Sequence, residues 1–141
     1  MKKLHIPFVM SLVALAACSS VPNAGSSNPN DPPETVEVTY HIKVGMQPQL
    51  QGVLSRAWVI YNKEHLVLAQ PHFIVTTMEY GNRPRLVETF TWVSHSAPDH
   101  APKSVSDIWN EIQDLCEPRG GHDAVEINEI KTGAPRKQTT L

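Results

Sequence analysis

The chain has 141 residues, with 12 Lys and Arg against 14 Asp and Glu and a formal net charge of −2. That balance lacks the basic footprint with which proteins hold nucleic acid, so nucleic acid is not an expected partner. The length leaves room for one small domain and little else.

Residues 1–17, MKKLHIPFVMSLVALAA, join Lys2 and Lys3 to a short apolar run that ends in small residues. This is the pattern of a secretory signal peptide, and the run is too short and wrongly flanked to span a bilayer. The ending Leu15-Ala16-Ala17-Cys18 resembles the lipobox of bacterial lipoproteins. The resemblance implies that Cys18 carries lipid on its sulfur, becomes the mature N-terminus and holds the protein to a membrane. Ser19 in the next position, where Asp would retain such a protein at the inner membrane, implies the outer membrane, facing the periplasm. Without Lys2 and Lys3 the remaining chain has ten basic against fourteen acidic side chains.

The second cysteine then changes meaning. Two cysteines in a secreted chain ordinarily suggest a disulfide, but a lipidated Cys18 leaves Cys116 alone. A lone thiol in an oxidising compartment is either buried or an intermolecular bridge. Cys116 falls on an apolar helix face, which favours burial as a small hydrophobe.

Residues 18–34 are almost all Ser, Asn, Pro, Gly and Asp after the cysteine, and read as a flexible tether. Residues 35–131 have the composition of one folded domain. Val36, Val38, Tyr40, Ile42 and Val44 alternate with polar residues, the period of a strand with one apolar face. Leu50, Val53, Leu54, Ala57, Trp58 and Tyr61 then recur at helical spacing, with Pro48 in the first turn. HFIVTTMEY, 72–80, and RLVETFTWV, 85–93, are strand-like and flank the turn Gly81-Asn82-Arg83-Pro84, so they form a hairpin. Val105, Ile108, Trp109, Ile112, Leu115 and Cys116 make a second helical stripe, begun near Pro102 and ended by Pro118 and Gly120-Gly121. AVEINEI, 124–130, is a last strand, and 132–141 is a disordered tail.

The order βαββαβ is the ferredoxin-like split unit: an α+β fold with a four-stranded antiparallel sheet and both helices on one face. The second sheet face is then left without a layer of its own. Either a two-fold copy of the chain covers it, or it stays bare and polar in water. The first alternative predicts a homodimer.

This order, the strand Glu88-x-Phe90-x-Trp92 and the His-containing corner after it resemble the dimeric α+β barrel superfamily. The nearest branch is the antibiotic biosynthesis monooxygenase-like proteins. In that branch the pocket lies between helices and sheet and a Trp of this strand lines it, a place that Trp92 takes here. The enzymes of the branch carry an amide near the position of Glu88. Members of the superfamily include cofactor-independent monooxygenases, haem-handling proteins, other lyases and isomerases, and many of unknown role; no cofactor is expected here.

Glu88 shares a strand face with Leu86, Phe90 and Trp92, an otherwise apolar row. A carboxylate there is either functional or firmly bonded, the plainer reading being a reach to a Lys or Arg. Tyr40 can meet the same pocket from the first strand, and His100 stands at its mouth. Tyr40, Glu88, Trp92 and His100 are therefore the candidate ligand-binding residues, with Glu88 and His100 the candidates for catalysis. Trp58 and Trp109 read as helix core. His95, Asp99 and His100 are metal-capable, but neither helix nor strand presents their spacing as one chelate, so a strand-to-helix corner is expected there and no metal. His41, His65, His72 and His122 scatter without pattern, as surface or strand-end residues. Two functions from different classes remain: a membrane-anchored module that binds a small apolar or aromatic molecule or interacts with a partner, and a cofactor-independent monooxygenase-like enzyme acting on a small aromatic substrate.

Overall fold

The computed structural model describes residues 30–131; the leader, Cys18, most of the tether and the 132–141 tail lie outside the described residues. Strand β1 spans Glu34–His41, helix α1 Gln47–Lys63, β2 Phe73–Glu79 and β3 Arg83–Trp92. A 3₁₀ turn at Ala97–His100 leads into α2, Lys103–Asp114, and β4 follows at Val125–Glu129. The strands lie in the order β2-β3-β1-β4 and every neighbouring pair is antiparallel. This is the ferredoxin-like α+β fold expected from the periodicities.

Register fixes what each face holds, because paired residues point the same way. Val36, Val38 and Tyr40 of β1 pair with Phe90, Glu88 and Leu86 of β3 and with Glu129, Ile127 and Val125 of β4. All of these look toward the helices. Leu50, Val53, Leu54, Ala57 and Tyr61 of α1 meet them from above, with Val105, Ile108 and Ile112 of α2. Leu50, Leu86 and Val105 are wholly buried, and each such aliphatic side chain contributes about 1.5–3 kcal/mol of burial free energy. Cys116 belongs to this core, buried beside Ile42, with which its backbone forms a bridge. Among the described residues no helix is long and apolar enough to cross a membrane.

The opposite face carries Thr35, Glu37, Thr39 and His41 of β1, Val87, Thr89 and Thr91 of β3, and Phe73 and Val75 of β2. Thr39, His41 and Thr91 are buried among their neighbours, but no helix of the described chain lies on this face, and Phe73 and Val75 stay exposed. The edge strand β2 is exposed on both sides: Phe73 and Val75 on this face, Ile74 and Met78 on the other.

The folded region begins earlier than the composition suggested. Asp31 Oδ1 accepts from the Ser96 amide at 3.0 Å, and its Oδ2 accepts from the Ser96 hydroxyl at 2.5 Å. The His95 amide donates to the Pro32 carbonyl at 2.9 Å. These bonds hold the Asp31 carboxyl below its ordinary range and tie residues 31–34 down before β1 starts. A Pro- and Asp-rich stretch has no apolar periodicity, but a backbone can still be clasped by a turn that offers free donors.

Candidate functional site

A cavity of about 500 Å³ opens between the β1–β4 half of the sheet and α2. Its floor is Val36, Val38 and Tyr40 with Val125 and Ile127, and Trp109, Ile112 and Gln113 of α2 form the opposite wall. It exists because β4 turns apolar side chains to the helix side while no helix lies squarely over it: Ile127 stays 66% exposed. Tyr61, Phe90 and Trp92 close the inner end. Glu34, Glu129, Pro98 and Asp99 stand at the border, so a mostly apolar space has an acidic rim.

The inner end is an aromatic cluster. Phe90 and Trp92 meet edge to face with centroids 4.8 Å apart, and Tyr61 lies 5.5 Å from Trp92. Trp109 reaches down from α2 and donates Nε1–H to the Tyr61 hydroxyl at 2.7 Å. Trp109 is thus part of the cavity wall as well as a helix residue. Burial raises the Tyr61 pKa, so it remains a phenol at any ordinary pH. Having accepted from Trp109, that hydroxyl keeps its own proton to donate. The cavity therefore offers aromatic surface together with a hydrogen-bond donor.

Behind the floor lies a buried polar chain. The Tyr40 hydroxyl donates to Glu88 Oε2 at 2.5 Å, and His72 Nε2 lies 2.7 Å from Glu88 Oε1. The His72 ring stacks on Trp58 with centroids 3.7 Å apart. Glu88 is 2% exposed, and its two bonds offset the cost of burying a carboxylate. Burial first, and then the Glu88 charge, push the Tyr40 pKa well up, so it too stays protonated. The partners of Glu88 are a tyrosine and a histidine, not the Lys or Arg that strand-edge logic suggested. Glu88 sits in the second strand from the β2 edge, within reach of His72 in the loop that leads into β2.

Tyr40 and Trp92 line the cavity; Glu88 is screened from it by Tyr40; His100 is exposed and lies outside its wall. Asp99, its neighbour, borders the mouth instead, because the 3₁₀ turn sends successive side chains in different directions. His95 leaves the corner to meet Glu34, Nδ1 to Oε1 3.0 Å. His95, Asp99 and His100 do not gather around a common point. His41 and His72 do stand at strand ends, as expected, but neither is without a partner: His72 is bonded to Glu88, and His41 is buried at the end of β1 beside Glu79 and Glu126. Nothing in the local sequence signals either contact, since His72 precedes β2 in a loop and meets Glu88 only through the hairpin.

A ferredoxin-like α+β domain with an apolar, aromatic-ended cavity between sheet and helices is the class defined by these features. Its fold is similar to that of SnoaB, a cofactor-independent oxygenase from Streptomyces nogalater. That likeness has a TM-score of 0.55 and 11% identity, and covers 75% of this chain and 98% of that one. It is also similar to a conserved protein from Methanosarcina mazei Go1, with a TM-score of 0.52 and 13% identity, over 70% of this chain and 90% of that one. No protein-family model and no curated protein sequence matches the chain.

Proposed function

We propose that this protein is a membrane-anchored binding module, held through lipid on Cys18 at the periplasmic side of the outer membrane, that takes up a small aromatic molecule. The observation that carries this reading is the cavity of about 500 Å³, walled by Trp92, Trp109 and Tyr61 and furnished with the Tyr61 phenol as donor. Ligand pockets commonly measure about 300–1,000 Å³ and combine apolar walls with a few placed polar groups. The matching ligand is a flat ring system bearing a carbonyl or similar acceptor for Tyr61. We further propose that the module works as a homodimer through its open sheet face.

The second reading, a cofactor-independent monooxygenase-like enzyme acting on a small aromatic substrate, is supported by the fold shared with such an oxygenase and by the Tyr40–Glu88–His72 chain. Binding is the stronger reading on chemical grounds. Oxygenation of this kind needs a base that takes a proton from the substrate. The two phenols that face the cavity are held protonated, the buried Glu88 carboxylate lies behind Tyr40, and the carboxylates that do border the space, Glu34, Asp99 and Glu129, stand at its rim and not at its aromatic inner end.

Extracting the protein from membranes and measuring it by native mass spectrometry tests the binding reading. A co-purifying aromatic molecule, lost in Trp92→Ala, supports it. Saturable quenching of tryptophan fluorescence by a naphthyl ketone, weakened in Tyr61→Phe, supports it independently. Oxygen consumption on adding a phenolic substrate would favour the enzyme instead. Cys18→Ser should release the protein from the membrane fraction, and a wild-type protein that is already free would reject the anchor.

A further inference from the structure

On the far side of the sheet, away from the cavity, three metal-capable side chains converge. We infer that His41, His122 and Glu126 form a binding site for a divalent transition-metal ion of the zinc type. The inference goes beyond the aromatic-ligand reading and does not depend on it.

The three come from separate elements whose backbones are well fixed. His41 ends β1; its amide donates to the Ala124 carbonyl at 3.0 Å, and its carbonyl accepts from the Glu117 amide at 2.9 Å. Glu126 lies on β4 opposite Thr39, on the same sheet face as His41. His122 is placed by the turn before β4. Arg119 and His122 exchange both backbone hydrogen bonds at 3.0 Å around Gly120 and Gly121. Those two residues have φ of +61° and +89°, the left-handed pair that a two-residue hairpin turn of this kind requires and that glycine adopts without strain.

The resulting geometry suits a chelate. His122 Nδ1 lies 2.8 Å from Glu126 Oε1, and His41 Nε2 lies 3.2 Å from Glu126 Oε2. One ligand atom from each residue falls within 4.8 Å of the others. Around a tetrahedral zinc with bonds of about 2.0–2.1 Å, ligand atoms stand roughly 3.3 Å apart. The exposed His122 and part-exposed Glu126 can supply the small adjustment while the buried His41 stays in place.

His41 supplies the independent observation. Its side chain is 3% exposed, and it is pressed between two carboxylates: Nε2 toward Glu126, and Nδ1 2.8 Å from Glu79 Oε1. That second approach is off the line of a hydrogen bond, and Nδ1 is a buried nitrogen with no hydrogen-bond partner among the described residues. A neutral imidazole has one N–H and one lone pair, so it cannot donate to both carboxylates. A cation on Nε2 resolves the conflict. The lone pair binds the metal, and Nδ1–H is left for Glu79, the carboxylate–histidine–metal relay seen around zinc. Glu79 is already oriented for that part, since Arg119 Nη1 donates to its Oε2 at 2.8 Å and Arg119 is itself held by Glu117 and the Ile42 carbonyl.

Two imidazole nitrogens and one carboxylate select zinc, nickel or copper over calcium or magnesium, which prefer all-oxygen shells. Three protein ligands leave a fourth position for water or a small anion. A groove of about 550 Å³ runs beside His122, lined by Glu79, Arg83 and Arg119, and gives that position access to solvent.

The test is isothermal titration of untagged, chelator-stripped full-length protein in detergent with zinc chloride alone. One zinc per chain is expected. His122→Ala and Glu126→Gln should each weaken binding by roughly a hundredfold or abolish it, and Glu79→Gln by about 10–100-fold, the usual range for an outer-shell partner. His95→Ala, which removes an equally exposed histidine elsewhere, should change nothing. Zinc should also raise the melting temperature of the wild type and not that of His122→Ala. Absence of saturable binding would overturn the site and leave His41 held by Glu79 and Glu126 alone. Binding that survives in both His122→Ala and Glu126→Gln, or is lost in His95→Ala, would overturn it as well.

Discussion

Tyr40 stands between Glu88 and the cavity: its ring forms part of the floor, and its hydroxyl donates to the carboxylate at 2.5 Å. The relationship links a buried charge to the ligand space without exposing it. Its energetic consequence is testable. Tyr40→Phe keeps the ring and removes one of two bonds to Glu88, which should cost about 1–3 kcal/mol, the usual penalty for an unsatisfied buried group. Glu88→Ala should cost more, because it strips Tyr40 and His72 together and leaves a hole. Urea denaturation reads both as lower midpoints. An unchanged midpoint for Tyr40→Phe would mean that the bond contributes nothing.

That pair also marks how far the sequence can be read. Period-two and helical spacings carry the element order, because each strand and helix buries one face and must repeat its apolar residues accordingly. The same logic puts Tyr40, Glu88 and Trp92 on the helix side. It does not reach His72, which lies in a loop before β2 and joins Glu88 only when the hairpin closes. Nor does it reach His41 and His122, 81 positions apart, which stack at 5.6 Å because β4 returns beside β1. The corner at 95–100 is the strand-to-helix turn its sequence suggests, but the direction of each side chain is not legible there. Its residues are close in sequence, but the turn sends His95 to Glu34, Asp99 to the cavity mouth and His100 to solvent.

The single described cysteine gives a sharper chemical expectation. Burial pushes the Cys116 thiol up to about 11. The thiolate is the reactive form, so at pH 8 the folded protein should react with a polar thiol reagent far more slowly than the denatured chain. The rate should climb only as pH approaches 11. Rapid labelling of the native protein at pH 8, or a covalent dimer on a non-reducing gel, would contradict burial in the core.

His95 and Glu34 predict a pH effect at the start of β1. The hydrogen bond that His95 gives to the Glu34 carboxylate, followed by the Glu34 charge, raises the His95 pKa above the ordinary 6.5. A raised folded-state pKa gives stability that is fully present below the unfolded value and lost as pH rises through the folded one. The clasp between the incoming chain and the corner should therefore loosen as pH rises through the raised His95 value. A proton NMR titration should place His95 above free histidine, and Glu34→Gln should bring it down. Identical titration curves in the two proteins would show that the pair is not formed in solution.

The remaining expectation concerns the uncovered sheet face. Phe73 and Val75 are 61% and 55% exposed there, next to Val87 and a row of threonines, and Thr35 and Thr91 bond each other through their side chains at 2.9 Å. The strand that bears Phe73 and Val75 is also an open edge, with unpaired backbone groups and the exposed Ile74 and Met78. Natural proteins rarely leave such an edge bare, because it templates further pairing. A second copy related by a two-fold axis would bury both features at once. Sedimentation at tens of micromolar, well above the ~1 µM dissociation constant worth about 8 kcal/mol, should show a dimer. Val75→Asp places a charge on that face without entering the core and should yield a folded monomer with wild-type circular dichroism. A wild-type monomer at that concentration would reject the pairing, and so would a Val75→Asp protein that remains a dimer.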